Sequence, residues 1–108
     1  MRHIQDEYDA GRAQAIEDQR LGTRKMFSQL LGAWGRFYFD LMEKRYGVHI
    51  EHVSDITSEG RLSFERGYNS ITRDYVESID GPGAFDRVMD EVKAFRTEHY
   101  KKHFENQS

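Results

Sequence analysis

The segment from about Thr23 to Tyr46 constrains this chain most. Phe27, Leu30, Leu31, Trp34, Phe37, Tyr38, Leu41 and Met42 recur at i, i+3, i+4 and i+7, while Lys25, Gln29, Arg36, Asp40 and Glu43 take the opposite side. That period predicts one amphipathic helix held by burial, since propensity alone seldom stabilises a segment of this length in water. Gly47 comes next, suited to the left-handed position just past a helix end.

A second flank runs beside the main stripe. At about 100° per residue, Gly32, Gly35, Phe39 and Tyr46 gather together. With the stripe they cover about half of the helix circumference, more than a single packing partner needs. Glycine in a helix interior costs about 1 kcal/mol relative to alanine, so a close approach is expected to offset it. Gly32, Gly35, Phe39 and Tyr46 are therefore the candidate interface, with a two-fold homodimer as the expected contact. The alternative is a helix touched on two sides within its own chain.

The remaining segments arrange themselves around this one. Met1 to Leu21 favours helix by propensity but offers only a narrow stripe of Ile4, Tyr8, Gly11 and Ala15. Gly22-Thr23 marks a break, with Thr23 able to cap the second helix. Val48 to Ile56 alternates at first, but no partner strand is evident and a lone strand is unstable, so an extended connector is expected. A third helix starts between Asp55 and Ser58, a stretch rich in good capping types, and carries Phe64, Tyr68, Ile71, Tyr75 and Ile79. Asp80-Gly81-Pro82-Gly83 stops it. A fourth helix, about Gly83 to His103, turns Phe85, Val88, Met89, Val92 and Phe95 inward. The expected fold is all-α: one domain over residues 1–108, a compact bundle of three main helices plus an N-terminal helix or arm.

Composition narrows the function classes. Hydrophobic residues make up 37% and charged residues 32% of 108, a thin apolar supply for a short chain that must bury its own core. Self-association answers that shortage. The net charge of −3 comes from interleaved signs, without the basic face that neutralises phosphates, so no nucleic-acid partner is expected. With no cysteine, disulfides, thiolate metal sites and cysteine nucleophiles are excluded. The N-terminus lacks the apolar core of a signal peptide, and no run approaches the ~18 apolar residues of a membrane span, so a cytoplasmic protein without a membrane partner is expected.

Catalytic motifs are missing. There is no Gly-Lys-Ser/Thr triplet for a phosphate loop and no Gly-x-Ser-x-Gly elbow. Histidine alone offers chemistry. His99 and His103 stand one helical turn apart, a spacing that suits two imidazoles on one zinc or iron ion, and His49 or His52 would complete the set if the connector folded over the last helix. Capping and surface roles compete with that reading. The sequence thus points to a non-enzymatic cytosolic helical protein, without a cofactor, acting through protein contact. A metal-binding protein or small metal-dependent enzyme using the histidines is the alternative.

Overall fold

A computed structural model describes residues 3–30, 32–54 and 56–105, with side chains through residue 102. The chain is mostly helical. Its elements run α1 (Ile4–Arg20), β1 (Lys25–Ser28), α2 (Gly32–Tyr46), β2 (His49–His52), α3 (Glu59–Asp80) and α4 (Ala84–Glu105). β1 and β2 pair in parallel, Lys25 opposite His49 and Ser28 opposite His52, with α2 as the crossover between them.

The expected helix from Thr23 to Tyr46 is corrected by this arrangement. Its first part is strand β1, and helix begins only at Gly32. Two physical causes are visible. Met26 and Phe27 are both buried but belong to different clusters, one beside Tyr38, Met42, Ile50 and Val92, the other beside Ala15 and Tyr68. Adjacent residues bury on opposite sides only in an extended chain. Gly32 then takes φ +77°, a left-handed conformation that interrupts a right-handed helix and suits glycine. Leu31, part of the expected stripe, lies outside the described residues.

The connector is corrected for the same reason. His49–His52 is a strand, because its partner lies within the segment whose spacing mimics a helix. The fold is therefore mostly helical, roughly all-α, with a small two-stranded sheet that the sequence reading did not include.

The sheet separates two apolar clusters. Tyr38, Met42, Tyr46, Val48, Met26 and Ile50 join Val76 of α3 and Ala84, Val88 and Val92 of α4. Burial lifts the Tyr38 phenol to about 12, since a buried phenolate would lose its hydration. The smaller cluster sets Phe27 edge-on to Tyr68 at 5.0 Å between ring centroids.

The first helix is not a loose arm. α1 lies along α3, where Gly11 meets the Phe64 carbonyl and Gly67 meets the Tyr8 carbonyl so closely that a methyl group at either place would overlap it. Ser63 donates to the Ile4 carbonyl at 2.7 Å and Arg12 to Ser70 at 3.0 Å. Backbone proximity and these polar ties hold a helix whose large apolar residues, Ile4 and Ile16, remain exposed. At the N-terminal end of α3, the end that α1 also meets, Ser58 caps the first turn by accepting from the Arg61 amide at 3.1 Å, within the expected start.

Candidate functional site

The expected interface residues divide into covered and open ones. Gly35 is buried, and a Cβ there would lie 3.0 Å from the Leu30 carbonyl oxygen, so the chain entering α2 is what packs on it. Tyr46 is buried too, its hydroxyl donating to Asp80 Oδ2 at 2.6 Å. Burial, reinforced by that carboxylate, raises the Tyr46 phenol. These two residues tie α2 into the rest of its own chain.

Gly32 stays open, whereas Phe39 packs partly against the main cluster. Gly32 is exposed and Phe39 half-buried. With Leu30, Arg36 and His52 they line a recess of about 320 Å³ where α2 and β2 come together. The flank read on the helix thus meets the second strand, a connection outside the reach of helical periodicity. Along β2 only Ile50 is buried, while His49, Glu51 and His52 are exposed. Glu51 pairs across the ladder with Lys25 at 3.6 Å.

The histidines fall in different places. His49 and His52 stand on β2. His99 stands on α4 among rings, 6.3 Å from Trp34 and 6.2 Å from Phe95 between centroids. The His103 side chain lies outside the described residues. Among the described residues, no group of three or more histidine or carboxylate side chains is placed to hold a metal ion.

Around His99 the rings form an outer layer. Phe37 stacks on Phe95 at 4.4 Å, Trp34 lies 5.6 Å from Tyr100, and the Arg96 guanidinium sits 5.1 Å over Trp34. These contacts fix α4 against the start of α2.

Sequence reasoning passed over Glu65. It is 5% exposed, held by Arg61 at 2.8 Å, and lines a recess of about 310 Å³ at the end of β1 with Tyr38, Arg66, Asn69 and Met89 among others. Its only sequence signal is a charge interrupting the inward side of α3, and its partner on that helix already neutralises it. None of the described helices is long and apolar enough to cross a membrane. Comparisons with protein-family models, curated proteins and solved structures found no match.

Proposed function

We propose that this chain is a non-enzymatic protein acting through protein–protein contact, and that it associates with a second copy of itself through the open part of the α2 flank. The observation carrying this reading is the position of Phe39. Gly35 and Tyr46 on the same flank are covered by their own protomer, whereas Phe39 keeps a partly open ring beside exposed Gly32 and the exposed strand end at His52. Large aromatic side chains in such partly covered pockets are the usual anchors of protein interfaces.

The supply of core supports it. Apolar residues are scarce for the length, and the radius of gyration of 15.8 Å exceeds the ~13 Å of a compact domain of about 100 residues. A chain with this little buried surface gains stability when a second copy covers more of it.

Substitution of Phe39 by Asp tests the reading. Sedimentation velocity should show a wild-type dimer and a folded monomeric variant with unchanged helical circular dichroism. A wild-type protein that is monomeric at millimolar concentration would contradict the proposal.

A further inference from the structure

The recess at the end of β1 combines apolar walls with polar groups that the chain itself leaves incompletely bonded. Its volume of about 310 Å³ falls at the small end of the range for ligand sites, which are mostly apolar with a few polar groups. Buried Tyr38 and Glu65 belong to its floor, Leu62, Phe85 and Met89 to its walls, and exposed Arg66 to its rim. The Glu65 carboxylate has one bond: Arg61, which is not part of the lining, donates from Nε to Oε2 at 2.8 Å. Its other oxygen takes no hydrogen bond among the described residues, although a carboxylate accepts several. The Tyr38 hydroxyl has only Met26 Sδ at 3.8 Å, a weak acceptor where a buried phenol ordinarily finds oxygen. The Arg66 guanidinium pairs with no carboxylate among the described residues. Asn69, by contrast, is fully engaged with the Phe27 backbone.

We propose that this recess binds a small amino acid with an apolar side chain, its ammonium on Glu65, its carboxylate on Arg66 and its side chain among Leu62, Phe85 and Met89. Charge selects a zwitterion. With Arg61 counted, two guanidiniums attend one carboxylate, so a lone cation gains little. A lone anion would reach Arg66 but lie against the open oxygen of Glu65. A molecule carrying both charges on one carbon answers Glu65 and Arg66 together, and these two are neighbours along α3. The Tyr38 oxygen is a further acceptor for the ammonium. The apolar walls then take the side chain, whose burial adds to the two charge-assisted bonds. This site is independent of the homodimer reading, since the recess beside Phe39 shares only Leu30 with it.

Isothermal titration of the intact chain with L-leucine and L-methionine tests this. Glycine, 3-methylbutylamine and 4-methylpentanoate lack the side chain, the carboxylate and the ammonium in turn. Each should bind at least about tenfold more weakly than L-leucine, the loss that one charge-assisted bond or one buried side chain implies. R66A removes an exposed side chain and should keep the fold. It should weaken L-leucine about tenfold and leave 3-methylbutylamine within about twofold. E65Q should weaken L-leucine to a similar degree without weakening 4-methylpentanoate. R66A decides alone if E65Q does not fold. The proposal is overturned if neither amino acid saturates the protein below about 10 mM, if any of the three simpler probes matches L-leucine, or if R66A leaves L-leucine binding unchanged.

Discussion

The side chain of Asn69 completes the hydrogen bonding of Phe27: its Oδ1 accepts from the Phe27 amide at 2.8 Å, and its Nδ2 donates to the Phe27 carbonyl at 2.9 Å. A carboxamide presents one donor and one acceptor side by side, the same complement as a backbone peptide unit. Asn69 therefore stands where a third strand would lie and attaches α3 to the sheet. Thr72, one helical turn on, donates its hydroxyl to the Lys25 carbonyl.

Replacing Asn69 by Ala leaves a part-buried amide and carbonyl without partners. A loss of about 2–3 kcal/mol is expected, more than two ordinary hydrogen bonds contribute, because the stranded groups carry their desolvation cost. Urea denaturation followed by circular dichroism measures it. A loss under about 0.5 kcal/mol would show that water replaces the side chain.

The α1–α3 crossing gives a contrast in sign. Alanine normally stabilises a helix over glycine by about 0.5–1 kcal/mol. At Gly11 or Gly67 the added methyl would enter a backbone carbonyl of the facing helix, so G11A and G67A should each destabilise by about 1–3 kcal/mol. At Gly60 the nearest atom is the flexible Glu7 Cγ at 3.6 Å, and G60A should be neutral or slightly stabilising. Thermal melts of the three variants separate these outcomes, and similar shifts at all three positions would contradict the close crossing.

Much of this architecture is legible in the sequence. The capping serine, the Gly-Pro-Gly stop and the inward stripe of α4 give the last two helices nearly to their ends. The N-terminal half is harder for a physical reason. Phe27 fits a 3.6-residue period by coincidence of spacing with Leu30 and Trp34, while its burial depends on Tyr68, distant in sequence. A parallel pair of four-residue strands leaves little alternation to detect, and each strand looks unstable until the other is known. The same dependence hides the recess beside α2. Gly32 and Phe39 read as surplus on one helix, but their neighbour His52 reaches them only through the strand pairing. Asn69 and Thr72 read as ordinary polar positions because their partners are backbone groups.

Asp18 and Tyr68 set an acid limb. The Tyr68 hydroxyl donates to Asp18, and that bond, with a further one from Gln14, holds the carboxyl below its ordinary value. A lowered folded-state value stabilises the fold above about pH 4 and loses that contribution as pH falls through it. Y68F should remove about 1 kcal/mol at neutral pH, modest because the carboxylate is partly in water. It should also flatten the stability profile between about pH 4 and 2. An unaltered acid limb in denaturant titrations would contradict the assignment.

Tyr38 contributes to the alkaline limb, alongside Tyr46 and Tyr68, whose phenols are also raised. Its phenol is raised to about 12 by burial, so folding favours the neutral form. Its stabilising contribution is intact below about pH 10 and is lost as pH rises towards the folded value. Y38F should hold its stability to higher pH than the wild type, with Tyr68, also raised, still titrating. Ultraviolet phenolate absorbance recorded alongside circular dichroism follows this. A Tyr38 phenol titrating near its ordinary value of about 10 in the folded protein would contradict its burial.

In the proposed assembly, the open flank of α2, with Phe39 at its centre, is where a second copy binds. Sedimentation equilibrium of the wild-type chain across a wide dilution series tests this most directly. The expected result is a reversible monomer–dimer equilibrium that shifts to monomer in F39D while circular dichroism stays unchanged. A single monomeric mass throughout the series, or a dimer unaffected by F39D, would contradict it.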